Sequence, residues 1–103
     1  MKPFSLHILT THKNEDRHKN ILDTYLNGFD DYVFYTDSKT EYGNQISCTD
    51  NAGWDSNCPK MMTELNRIFS EKLYEKYEWF VFVDDDTFVN MGELQTFLRK
   101  AEK

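Results

Sequence analysis

With 103 residues the chain is one domain at most, long enough for a modest core but below the usual size of a complete nucleotide-utilising enzyme. Twelve basic against eighteen acidic side chains give a formal charge of -6, which argues against a nucleic-acid partner, and any phosphate-bearing ligand would need a metal. No apolar run approaches the roughly 20 residues of a membrane span, and Met1-Lys2-Pro3-Phe4 lacks the apolar core of a secretory signal, so the chain by itself is expected to be soluble and free of membrane contact.

In chain order, Phe4-Ser5-Leu6-His7-Ile8-Leu9 alternates as a first strand and the polar run from Thr10 to Asn14 ends it. Asn14 is placed to cap a helix over 15–26, whose early acids Glu15 and Asp16 suit its positive end and whose buried stripe is Ile21, Leu22, Tyr25 and Leu26. Asn27-Gly28 stops it. His18 on this helix reads as a solvated residue. Tyr32-Val33-Phe34-Tyr35-Thr36 is β-branched and aromatic, hence a second strand with Asp37 at its carboxyl end. Asn44-Gln45-Ile46-Ser47 is a short third strand with one strong apolar residue, and 49–57 is a polar loop that Trp54 is expected to pack down.

Cys48 and Cys58 close a short loop, not a C-x-x-C pair, so a metal ribbon is disfavoured; the spacing allows a disulfide or two free thiols equally. Pro59 suits the first turn of the longest helix, along which Met61, Met62, Leu65, Ile68, Phe69, Leu73 and Tyr77 recur at helical spacing, the Met pair reading as core filler. A final helix starts from an N-cap signature, Asn90 with Glu93 three positions on, and carries Leu94, Phe97, Leu98 and Ala101. The pattern β-α-β-(β)-α-β-α predicts an α/β fold: a three-layer, Rossmann-like, mostly parallel sheet of about four strands flanked by helices, with strand one near the middle.

Before that last helix, Trp79-Phe80-Val81-Phe82-Val83 runs straight into Asp84-Asp85-Asp86. The apolar run reads as a strand buried on both faces, and the crevice of an open α/β sheet lies beyond the carboxyl ends of its strands. Alternation puts Asp84 and Asp86 on one side and Asp85 on the other. Crowded carboxylates repel unless a cation or hydrogen bonds offset them, and all-oxygen ligation suits Mg²⁺ or Mn²⁺. The same triplet equally describes a solvated turn capping the next helix. A dehalogenase-type phosphatase is disfavoured because Phe88 stands where its Thr belongs, and a receiver domain because Thr10 and Thr11 replace its acidic pair.

With these neighbours the chain closely resembles the Fringe-like and β-1,3-galactosyltransferase-like branch of glycosyltransferase family 31. The resemblance is carried by Leu9-Thr10-Thr11, by Arg17 with Ile21-Leu22-Asp23-Thr24-Tyr25 where the family has Trp in place of Tyr25, by Phe34-Tyr35-Thr36-Asp37, by Cys48 and Cys58-Pro59-Lys60-Met61, and above all by Trp79-Phe80 through Asn90. It implies the GT-A type of fold and an inverting, metal-dependent transfer of sugar from a UDP-sugar donor to a glycan or glycoprotein acceptor. It further implies Asp86 as main ligand of Mn²⁺ (or Mg²⁺) with Asp84 beside it, Asp84 and Asp85 contacting ribose, sugar or metal-bound water, Thr10, Thr11, Arg17 and Asp37 bordering the uridine, Lys60 near the site, and Cys48 bonded to Cys58. A Golgi or secretory lumen would follow. The family's acceptor half and catalytic base lie beyond the Asp region, so residues 1–103 are expected to be a single nucleotide-sugar-binding domain, the N-terminal donor half of such an enzyme. The competing reading is a non-catalytic nucleotide-sugar, metal or interaction module of the same fold; a metal-dependent phosphoryl-handling domain comes third.

Overall fold

A computed structural model describes residues 2–48 and 57–101, without the side chains of Asn57 and Cys58. Trp54 therefore lies outside the described residues. Among the described residues four strands form one parallel sheet: β1 (Lys2–Leu9), β2 (Tyr32–Thr36), β3 (Gln45–Ser47) and β4 (Tyr77–Asp84), in the order β3-β2-β1-β4. Among the described residues three helices complete the α/β fold: α1 (Glu15–Asp23), α2 (Asn57–Ser70) and α3 (Met91–Ala101), with 3₁₀ turns at His12–Asn14 and Leu73–Glu75. Parallel register sets Leu9 level with Tyr35 on one side and Asp84 on the other, so β1, β2 and β4 end together on one rim.

Alternation along β1 divides the core into two unlike layers. Leu6 and Ile8 point to one face and pack with Ile21, Leu26, Tyr32 and Phe34, flanked by Leu22, Tyr25, Phe29, Val81, Val83 and Met91. Burial of a Leu, Ile or Phe there contributes about 1.5–3 kcal/mol per side chain. Ser5 and His7 point to the other face and meet a polar helix surface. Arg67 of α2 donates to the Tyr35 hydroxyl (3.2 Å), which lies 2.9 Å from His7 Nδ1, and His7 Nε2 lies 2.8 Å from Ser5 Oγ. Burial, reinforced by Arg67, lowers the His7 pKa to about 4, so a neutral imidazole links the two hydroxyls.

That polar layer overturns one expectation. The inward stripe of α2 is Lys60, Glu64 and Ile68, all buried, together with half-buried Arg67, so Met61, Met62, Leu65 and Phe69 face outward, 45–72 % exposed. The Met pair is therefore not core filler. Leu73 is buried beyond the helix end, in the 3₁₀ turn, and Tyr77 already belongs to β4.

The expectation of a strand buried on both faces also fails for β4. It is the edge of the sheet, its residues are half-buried or exposed, and Phe82 is 47 % exposed. α1 ends at Asp23, three residues short of the expected stop, because the Thr24 hydroxyl bonds back to the Asn20 carbonyl and the Leu26 amide reaches to Ile21. The cap of α3 is as expected: Asn90 Oδ1 accepts from the Glu93 amide at 3.1 Å. Asn14 precedes α1 without capping it, its side chain being committed elsewhere.

Candidate functional site

At the carboxyl rim the three adjacent acids part company. Asp84 and Asp86 are exposed, whereas Asp85 turns inward. Asp85 Oδ2 accepts from the Thr10 hydroxyl (2.7 Å) and from Asn14 Nδ2 (2.9 Å), and Oδ1 accepts from Arg17 (2.9 Å). Its side chain is 9 % exposed. Asp85 thus fastens the turn after β4 to the end of β1 and to α1, and an alternating backbone then leaves its neighbours on the outer side. Asn14 is missing from the helix cap because it serves this carboxylate.

Asp37 is also held by the protein. Its carboxylate accepts from the His12 amide (2.8 Å) and from the Thr36 hydroxyl (3.1 Å), and pairs with His12 Nδ1 at 2.6 Å. Burial alone would raise its pKa, but the bonds from His12 and Thr11 outweigh burial and hold it below the usual carboxylate range. Thr11 caps the 3₁₀ turn by accepting from the Lys13 amide. Among the expected site residues, Thr10, Arg17 and Asp85 are in direct contact, Thr11 and Asp37 meet around His12, and Asp84 and Asp86 stand free of the Asp85 network. Lys60 is buried on α2 one turn before Glu64.

Several rim groups escaped the sequence reading. His18 is fully buried, not solvated: it stacks on Phe34 (centroids 4.8 Å apart), with Nε2 at 2.6 Å from Thr10 Oγ1 and Nδ1 at 3.3 Å from Thr40 Oγ1. Burial lowers its pKa although Asp85, Glu15 and Asp37 pull the other way. Glu64 is buried with Oε1 unpartnered, and burial followed by the charge of Asp84 raises its pKa to about 7. Its only sequence signal was a position four residues after Lys60. The Tyr25 hydroxyl is buried and unpartnered, its pKa pushed up to about 12 by burial and by Asp85.

The disulfide implied by the family resemblance is not formed here: Cys48 is a free, half-buried thiol, and the side chain of Cys58 lies outside the described residues. Among the described residues no group of three or more His, Cys, Asp or Glu is arranged to enclose a metal ion. Two exposed carboxylates at the end of a strand do fit an ion completed by phosphate oxygens and water, the usual manner of Mg²⁺ at nucleotides. A cavity of about 440 Å³ lies at the opposite end of the sheet, lined by residues including Asp31, Asn44, Arg67 and Tyr77, away from this rim. Among the described residues no helix is long and apolar enough to cross a membrane.

No curated protein and no solved structure matches the chain. A family profile described as Fringe-like matches residues 4–103, nearly the whole sequence, including both rim threonines and the acidic triplet. With a four-stranded parallel sheet, β1 inside it and the acids at the end of β4, the chain belongs to the Fringe-like family of glycosyltransferases.

Proposed function

We propose that this domain binds a UDP-sugar through a divalent ion, Mn²⁺ or Mg²⁺, held by Asp86 with Asp84, and serves as the donor site of an inverting glycosyltransferase acting on a hydroxyl of a glycan or glycoprotein. The observation that carries the reading is the division of labour among three adjacent acids: Asp85 is tied to Thr10, Asn14 and Arg17 while Asp84 and Asp86 stay exposed on the rim. When bound, the ion acts as a Lewis acid on the diphosphate, whose charge grows as the bond to the anomeric carbon breaks. The acceptor hydroxyl oxygen would form the new bond to that carbon, its proton passing to a base on the acceptor side, and UDP would leave with the electron pair of the broken bond.

The chain's own residues do the positioning. Asp85 anchors the turn, and Thr10 and Asp37, both committed to protein partners, fix the backbone edge on which uridine rests. Thr11 and the half-exposed Arg17 stand at the margin of that edge. Lys60, buried on α2 one turn before Glu64, would be a positively charged group near this site.

Calorimetric titration of UDP with and without Mn²⁺ tests this. Binding that requires Mn²⁺ and is abolished in Asp86→Ala is expected; affinity that is indifferent to metal, or unchanged in the variant, overturns the site. Release of UDP from a UDP-sugar then separates an enzyme from the competing module, which would bind without turnover.

A further inference from the structure

A run of hydrogen bonds crosses the fold from the far edge of the sheet to the acidic rim, and its direction is fixed by the chemistry of its members. Gln45 Nε2 donates to Thr40 Oγ1 at 2.8 Å and to the Tyr42 carbonyl, so the Thr40 hydroxyl is an acceptor there and keeps its own proton to give. At the other end the Thr10 hydroxyl donates to Asp85 Oδ2 at 2.7 Å, so Thr10 Oγ1 must accept from the imidazole that lies 2.6 Å away. Only one form of a neutral imidazole meets both demands: Nε2 carries the proton toward Thr10 and Nδ1 accepts from Thr40. The ring is fully buried and stacked on Phe34, so it has neither water nor rotational freedom to substitute for either bond.

We propose that His18 is a positioning residue for the donor site. It holds the Thr10 hydroxyl in the orientation that donates to Asp85, and so keeps the turn at Asp85 docked with Asp84 and Asp86 outward. The chain Gln45 to Thr40 to His18 to Thr10 to Asp85 also makes the geometry of the rim depend on the turn before β3, a segment that touches none of the three acids. With Gln45 Nε2 and the Tyr42 amide (3.5 Å) already donating to Thr40 Oγ1, an imidazole with the proton on Nδ1 would confront that hydroxyl with a third donor and leave Thr10 with no proton supplied to its oxygen. The inference rests on the donor-site reading for its consequence, but the form of the ring is independent of any ligand.

Two measurements test it together. Long-range ¹H–¹⁵N correlation spectra of the apo protein are expected to show His18 neutral with the proton on Nε2; a proton on Nδ1, or on both nitrogens at neutral pH, overturns the proposal. Mn²⁺-dependent UDP affinity is expected to fall about tenfold in His18→Phe, which keeps a buried ring without its nitrogens, and to return to within threefold of wild type in His18→Gln, whose amide can donate to Thr10 and accept from Thr40. Equal affinity in wild type and both variants overturns it, as does an equal loss in both with unchanged thermal unfolding. Should wild type itself fail to bind UDP with Mn²⁺, the donor-site reading falls, and the ring form decides the hydrogen-bond chain alone.

Discussion

Asp84, Asp85 and Asp86 carry the same group and differ in what surrounds it. Removing Asp85 orphans Thr10, Asn14 and Arg17 at a part-buried junction, so Asp85→Ala is expected to cost about 2 kcal/mol of stability, whereas Asp84→Ala and Asp86→Ala should stay within about 0.5 kcal/mol. Urea unfolding of the three variants checks this, and equal losses would contradict it. A second residue-scale effect involves Glu64 and His7. Between about 4.5 and 7 the folded protein keeps a proton on Glu64 that the unfolded chain releases, so this group's contribution to stability falls as pH rises. Between about 4 and 6.5 the unfolded chain binds a proton on His7 that the folded protein refuses, so that contribution rises with pH. The two oppose each other over most of the range. Glu64→Gln removes the falling limb, so its stability is expected to climb more steeply with pH than that of wild type between about 4.5 and 7, His18, whose pKa burial also lowers, adding to the rise in both proteins; identical profiles from thermal melts at a series of pH values would contradict the assignment.

At the scale of elements, what could be read in the sequence was whatever depends on local chemistry. The strand at 32–36 announces itself by β-branched and aromatic residues, that at 45–47 rests on the single apolar residue Ile46, and Asn90 caps α3 as its spacing to Glu93 indicates. Asn90→Ala should therefore cost about 1 kcal/mol, measured by chemical denaturation. The orientation of α2 was not legible, because periodicity assumes that the apolar stripe faces the sheet. Here the sheet offers His7, Ser5 and Tyr35, and the helix answers with Arg67, beside which Lys60 and Glu64 are also buried. Exchanging Phe69 for Lys, at 72 % exposure, is accordingly expected to leave the melting temperature within about 2 °C of wild type, since surface changes rarely exceed about 0.5 kcal/mol; a large loss would mean that the side chain is packed. The turn before β3 shows a different limit. Gly43 has φ +74°, and a Cβ there would lie 2.6 Å from the Tyr32 hydroxyl, a closeness that only tertiary structure reveals. The same holds for His18, whose burial comes from β2 and the turn at Thr40, both remote in sequence.

Across the whole molecule, a chain of net charge -6 keeps two of its exposed acids, Asp84 and Asp86, at the carboxyl rim of a parallel sheet and its described cavity at the other end. The positions of Asp37 and of the acidic triplet at strand ends were legible, because a β-α-β order with parallel strands places those ends together. Which acid is spoken for was not, because that depends on Thr10, Asn14 and Arg17 converging from other segments. An anionic nucleotide approaching this rim meets like charge unless a divalent ion lies between, so the central claim concerns where such an ion sits. Paramagnetic broadening of backbone amide signals by Mn²⁺ in the presence of UDP locates it directly. Broadening centred on residues 84–87 with 10–12 and 37, and lost in Asp86→Ala, is the result predicted; broadening around Asp30 and Asp31 at the opposite end, or none that depends on UDP, would contradict the account.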